Sequence, residues 1–342
     1  MRKVVLLGEP LLRLSPEGNM RFLQADKMDV HFGGAEANVA VCLASLGVNC
    51  YYVGKVPKHA MGQAFINALN REGVHTDYIA RGGERIGIYF LENGASVRSS
   101  QVIYDRAYSS MSEAKVTDFD WEEILEGTSL LHVTGITPVI SEQAAILTMH
   151  ALREAKKRNI LVSLDLNYRA KLWQDNIEIK QKWMSELAQY ADYCFGNPLD
   201  AAKTLGYTDK VQNLRETDFQ YCVGREMVER MAQQYDFTGI FFTLRESCNA
   251  SFNRLAARAY WKGEFLETDK VDLQIVDRIG GGDAFAAGIL YGIVQNMNLR
   301  DMLAFGLTTG AIAHTIPGDF AMTTVEEVNS IIKNGGTGRV ER

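Results

Sequence analysis

The chain has 342 residues, 46% of them hydrophobic and 23% charged, with a formal net charge of −6. That is enough apolar material for a sizeable core, and acidic and basic residues are interspersed, so the basic stripe that a polynucleotide backbone requires is missing and nucleic acid is excluded as a partner. No apolar run approaches membrane-spanning length, and residues 1–8 are interrupted by Glu9 and Pro10 before they reach the length of a signal-peptide core, so a cytoplasmic protein with no membrane partner is expected.

Short β-rich runs alternate with helical patterns, which predicts an α/β fold with a doubly wound, mainly parallel sheet flanked by helices. Lys3 to Gly8 reads as the first strand. Ala35 to Leu46 is a small-residue helix stopped by Gly47, Asn49 to Val53 a second strand, and Gly62 to Glu72 a helix stopped by Gly73. Ser129 to Thr134 is strand-like, Ser141 stands where it would cap a helix reaching Lys157, and Ile160 to Leu166, Asp192 to Phe195 and Gly239 to Leu244 are further strands. The last third is mainly helical, from Asp283, Leu299 and Val325 onward. Two stretches, 10–32 and about 80–108, lack long helical periodicity, and the second contains Asn93-Gly94, a strong hairpin signal. Both are read as a small antiparallel β lid on one domain spanning residues 1–342. It would cover the carboxyl edge of the sheet and exclude water, serve as a homodimer surface, or do both.

Cys42, Cys50, Cys194, Cys222 and Cys248 have no Cys-x-x-Cys spacing and read as reduced core thiols rather than metal ligands or bridges. The histidines show no His-x-x-x-His pairing. His31, His132 and His314 are open to two readings, cleft-lining or satisfied in the core.

The run Asp277-Arg278-Ile279-Gly280-Gly281-Gly282-Asp283 carries the chemistry. Apolar residues at helical spacing follow it, so the glycine amides become the unpaired donors of a first helical turn and suit a phosphate. Asp283 is a poor phosphate ligand but a good acceptor for the proton of an attacking hydroxyl, and the combination points to phosphoryl transfer to an alcohol. Asp277 is open as a support of the loop through amide hydrogen bonds. A second cluster, His31-Phe32-Gly33-Gly34-Ala35-Glu36-Ala37-Asn38, opens the first long helix, with Gly33 and Gly34 allowing close backbone approach to a ligand. No Gly-x-Gly-x-x-Gly follows the first strand and no Gly-x-x-x-x-Gly-Lys-Ser/Thr element occurs, which sets aside a Rossmann dehydrogenase and a P-loop kinase.

Together the two glycine clusters resemble the paired signatures of the ribokinase-like (PfkB-type) carbohydrate kinases along essentially the whole chain. The resemblance implies ATP and Mg²⁺ as cofactors, Gly280, Gly281 and Gly282 as the anion hole, Asp283 as the base, and Gly33, Gly34 and Asn38 on the sugar. Asp165 to Trp173 is similar to the Asp-x-Asn-x-Arg-x-x-Leu-Trp segment of family fructokinases and 2-keto-3-deoxygluconate kinases, which brings Asn167 to the nucleotide and Arg169 to the cleft. Asn197-Pro198-Leu199-Asp200 resembles the Asn-x-x-Glu element that organises water around the metal, with Asp200 one methylene shorter than the usual glutamate. Thr243, Arg245 and Cys248 match a segment lining the nucleotide, and Thr309 the adenine side. Tyr89, Tyr104 and Arg106 correspond to substrate-binding residues of the 2-keto-3-deoxygluconate kinase subgroup. Two arginines, Arg106 and Arg169, converging on one pocket suit a sugar acid, while Asp319 is open as a sugar ligand or a turn residue. The rival expectations are a neutral-sugar kinase such as a fructokinase and a catalytically silent sugar sensor.

Overall fold

Val4 and Leu6 of β1 (Lys3–Leu7) belong to one core and Val5 and Leu7 to another, all four fully buried, the pattern of a strand covered by helices on both faces. The structure is a computed structural model in which residues 2–207 and 225–335 are described. The chain leaves β1 for two lid strands, β2 (Leu11–Ser15) and β3 (Asp29–Gly33), then returns through α1 (Ala35–Ser45), β4 (Asn49–Val56), α2 (Ala60–Arg71) and β5 (Ile79–Arg81). A second excursion adds β6 (Gly87–Glu92) and β7 (Gln101–Asp105) to the lid. The body continues with α3 (Trp121–Leu125), β8 (Thr128–Thr134), α4 (Glu142–Lys157), β9 (Leu161–Asp165), α5 (Ile177–Ala188), β10 (Tyr193–Phe195), α6 (Pro198–Leu205) and α7 (Arg225–Tyr235). It ends with β11 (Gly239–Ser247), β12 (Phe252–Trp261), β13 (Glu264–Glu267), β14 (Val271–Gln274), α8 (Gly281–Val294), α9 (Leu299–Ala313) and α10 (Val325–Asn334).

The large sheet runs β5-β4-β1-β8-β9-β10-β11-β12-β13, with β14 also paired to β12. It is parallel from β5 to β11 and antiparallel beyond. Helices α1, α8 and α9 pack on one face and α4, α5 and α7 on the other, as the doubly wound expectation requires. Ser141 caps α4 as anticipated, its Oγ accepting the Ala144 amide at 3.0 Å.

Three expectations need correction. The lid sheet, β3-β2-β6-β7, is mixed rather than antiparallel, because β2 and β6 both leave the body sheet in the same direction and pair parallel. Asn93-Gly94 is not a two-residue hairpin turn. The β6–β7 connection spans residues 93–100, where Ala95 and Arg98 exchange backbone hydrogen bonds at 2.9 Å and Arg98 returns to pair with Glu92. The tight hairpin lies instead at Lys262-Gly263, both at positive φ (49° and 92°), joining β12 to β13 in a β-rich stretch ahead of the helical end of the chain. Cys42, Cys50 and Cys194 are buried free thiols, Cys248 is an exposed one, and Cys222 lies outside the described residues.

Candidate active site

The carboxyl ends of β9, β10 and β11 open onto a cavity of about 430 Å³, and the first turn of α8 forms part of its wall. Gly280 caps α8 in the left-handed region (φ 79°), with a Cβ at this position only 2.5 Å from the Asp319 carbonyl oxygen, so only glycine fits without strain. The first intrahelical bond is Ala284 N–H to Gly280 O at 2.8 Å, and the amides of Gly281, Gly282 and Asp283 meet no acceptor among the described residues. A Cβ on Gly281 would strike His314 at 2.2 Å, whereas one on Gly282 would meet nothing within 4 Å, so Gly282 faces open space. These amides form a cradle open beside Gly282, a geometry that suits an anion.

Asp283 follows directly, 8% exposed, and its Oδ2 accepts from Asn38 Nδ2 at 2.7 Å. Burial raises its carboxyl to about 6, opposed by the Asn38 hydrogen bond and the Arg169 charge, so it is ionised at neutral pH yet basic enough to take a proton. Asn38 Oδ1 is buried without a hydrogen-bond partner, an orphaned acceptor beside the carboxylate. The start of α1 is held by Glu36, whose Oε1 accepts from Thr134 N, Thr134 Oγ1 and Thr137 Oγ1 at 2.7–3.1 Å, and burial lifts its carboxyl to about 7.

Most of the residues expected on the sugar gather at the lid. Gly34 (φ 129°) lies against the Glu9 carbonyl, and Gly33 against the Asp319 carboxylate. Tyr89 donates its hydroxyl to Asp319 Oδ1, and both side chains are buried. Tyr104 pairs opposite Tyr89 in the lid and stacks on the Arg106 guanidinium at 5.4 Å. Arg106 is neither solvated nor on the wall of the cavity with Arg169: its Nε and Nη2 both go to Glu9 Oε2, and Glu9 Oε1 also takes Ser109 Oγ at 2.6 Å. Its Nη1 makes no hydrogen bond among the described residues. Arg169 is exposed at the cavity wall, its Nη1 donating to Tyr168 O at 3.0 Å.

Residues 1–234 and 253–324 match the pfkB family carbohydrate kinase. The chain belongs to the pfkB family of carbohydrate kinases. It is therefore a phosphotransferase with an alcohol acceptor. The 2-dehydro-3-deoxygluconokinase of Thermotoga maritima has a solved structure that superposes with a TM-score of 0.91 at 41% identity, covering 97% of this chain and 98% of that one. The 2-dehydro-3-deoxygalactonokinase of Haloferax volcanii is 28% identical over 98% of both chains. The 5-dehydro-2-deoxygluconokinase of Clostridium beijerinckii is 26% identical over 96% of this chain and 92% of its own.

In this kinase the cavity wall also carries Asn167, Asn197, Asp200, Thr243 and Arg245. Asn197 and Asp200 cap each other at the start of α6, Asn197 N to Asp200 Oδ2 at 2.9 Å and Asp200 N to Asn197 Oδ1 at 3.0 Å. Asp165, whose Oδ1 accepts the Asn167 amide, is lifted to about 7 by burial and by the neighbouring Asp283 and Asp200 charges. Two expected residues are elsewhere. Thr309 is fully buried between α8 and α9, its Oγ1 donating to Phe305 O, because the close approach of Gly288 leaves it no path to the cavity. Cys248 is exposed in the turn beyond β11, past the last lining residue of that strand, Ser247.

Arg13 and Arg278 had no role assigned from the sequence, and His314 stood open between cleft and core. Arg13 pairs with Asp277 and Asp319. His314 donates from Nδ1 to the Asp277 carbonyl and accepts Arg245 Nη2 at Nε2 (3.0 Å), a tautomer fixed by the carbonyl, and burial lowers its pKa to about 4. Arg278 reaches Asn253 Oδ1 at 2.8 Å and lines the cavity. Arg13 carried no local sequence signal. His132, by contrast, is a core residue bonded to Ser163 Oγ.

Proposed function

We propose that this kinase transfers the terminal phosphoryl group of ATP to the terminal hydroxyl of 2-keto-3-deoxygluconate. The observation that carries the reading is the adjacency of an unfilled amide cradle to a buried carboxylate bonded to Asn38 of the sugar-side helix. The orphaned Asn38 Oδ1 and the open space over Gly282 fit a ligand at this point: one wants a hydroxyl donor, the other admits an anion. Asp283 takes the proton of the attacking hydroxyl, and the amides of Gly280, Gly281 and Gly282, joined by that of Asp283, stabilise charge on the group in transit, each such donor contributing roughly 3–4 kcal/mol in comparable sites. Arg245 and Arg278 supply positive charge to the nucleotide side of the cavity.

Asp200 with Asn197, and Asp165 nearby, offer the hard oxygen donors that a water-coordinated Mg²⁺ accepts, and the ion when bound would offset phosphate charge. For the acceptor, Arg106 is held by Glu9 with its Nη1 edge unengaged and Tyr104 on its face, a fixed guanidinium suited to a carboxylate. The relatives named for 2-dehydro-3-deoxy sugar acids agree with this choice. The connections flanking the lid strands carry Leu23 and Val97, each 96% exposed, and Tyr108 at 77%, apolar surface that a homodimer through the lid would cover, testable by light scattering.

The test is a panel of 2-keto-3-deoxygluconate, its galactonate epimer, 5-dehydro-2-deoxygluconate and fructose, each with wild type and Arg106→Lys. Turnover should be highest with a 2-keto-3-deoxy sugar acid and should fall with Arg106→Lys for acids more than for fructose. Equal efficiency with fructose would replace the acid reading with a neutral-sugar kinase, and no ATP consumption with any sugar would leave a silent sensor.

A further inference from the structure

Arg13 lies on lid strand β2, yet its guanidinium is 2% exposed and each of its nitrogens is used. Nη2 meets Asp277 Oδ2 at 2.7 Å, Nη1 meets Asp319 Oδ2 at 3.1 Å, and Nε donates to Ser15 Oγ at 2.7 Å. These two carboxylates flank the anion cradle. Asp277 Oδ1 accepts the Ile279 amide and its Oδ2 the Gly318 amide, both at 3.1 Å, and Ile279 immediately precedes Gly280. Gly280 in turn rests on the Asp319 carbonyl, while the Asp319 side chain takes the Tyr89 hydroxyl from lid strand β6. The Arg13 fork therefore ties lid strand β2 to both supports of the cradle, and the Tyr89 hydroxyl ties β6 to one of them.

The charges point the same way. Two carboxylates, each at most 3% exposed, stand beside a site built to receive an anion, and Arg13 is the cation paired with both of them. A buried ion pair of this kind often adds little net stability, since desolvation offsets attraction, so stability alone is a weak reason for it.

We propose that Arg13 is a positioning residue for phosphoryl transfer, setting the cradle at Gly280 through Asp277 and Asp319 and offsetting their charge. The proposal rests on the cradle as the phosphate site. A lysine at this position has one point charge and no fork, so it cannot bridge two carboxylates in a fixed plane. In Arg13→Lys, kcat falls about 10- to 100-fold while KM for the sugar stays within about threefold, the split expected when an interaction acts on the transition state.

A second readout needs no turnover. Calorimetry compares a non-hydrolysable ATP analogue with ADP: wild type binds the analogue more tightly through its terminal phosphate, and Arg13→Lys loses that margin while ADP affinity holds. A kcat within threefold of wild type with an unchanged analogue margin overturns the proposal, as does a raised sugar KM with kcat intact, which would make Arg13 a lid residue only. Should Arg13→Lys not fold, Asp277→Asn breaks the same pair and must give the same kcat loss and the same lost margin. If wild type turns over no sugar acid, the substrate reading falls, while the analogue margin still decides the role of Arg13.

Discussion

Asp283→Asn should abolish catalysis and stabilise the protein, two effects from one buried carboxyl. Its folded-state pKa near 6 stands roughly two pH units above the ordinary value of 3.8. At about 1.4 kcal/mol per pH unit, keeping it ionised in the fold costs about 3 kcal/mol at neutral pH. A carboxyl whose pKa is raised on folding favours the folded state below pH 3.8, loses that advantage as pH rises to 6, and carries the full cost above 6. Asparagine keeps a carbonyl for Asn38 Nδ2 and removes the charge, so the variant should gain up to about 3 kcal/mol above pH 7 and nothing below pH 4. Losing a general base costs about 10²- to 10⁴-fold in rate, or about 3–5 kcal/mol of barrier. Coupled ADP release measures turnover, with the wild-type kcat/KM rising through pH 6 and the variant lacking that limb. Urea unfolding at pH 7 and pH 4 measures the stability change. A variant turning over within tenfold of wild type, or one less stable than wild type at pH 7, refutes the assignment.

Gly282→Ala has room for its methyl and should melt like wild type, yet lose about 10²-fold or more in kcat by blocking anion approach; Gly280→Ala, strained and 2.5 Å from the Asp319 carbonyl, should lower the melting temperature as well. Glu9→Ala leaves Arg106 buried without its carboxylate and should cost about 3–5 kcal/mol in urea unfolding; a loss below about 1 kcal/mol would mean that the pair is not formed. His132 is fully buried with its pKa lowered to about 3 by burial, so its neutral form is favoured in the fold and stability is lost as pH falls from 6.5 toward 3. Between pH 7 and 4.5 wild type should therefore lose about 3 kcal/mol more than His132→Leu/Ser163→Ala, which has no imidazole to protonate there; parallel pH curves would contradict this.

The parallel sheet and the cradle were legible because both are local signals. Alternating apolar runs mark strands covered on two faces, and three glycines ahead of an apolar helix announce unpaired amides whatever surrounds them. Asn38 and Asp283 could be named from their motifs, but 245 residues separate them, and only the packing of α1 against α8 brings their side chains to 2.7 Å. The lid was located and its pairing misjudged, since Asn93-Gly94 has turn chemistry but the Arg98–Glu92 ion pair sets a longer loop. Arg106 was expected to converge with Arg169 on one pocket, and a glutamate 97 positions earlier holds its Nε and Nη2 instead.

The sequence by itself determined the backbone chemistry of this kinase: where glycine must stand, where a helix must begin, and which carboxylate is next to the amides. Tertiary structure decided which charges survive to act. Arg13, Arg106 and Asp319 are each held in place by charged groups from distant parts of the chain, and burial, which no local pattern records, set the proton affinities of Asp165 and Asp283. Electrostatics depends on distance and desolvation in three dimensions, so it appears only once the chain is folded.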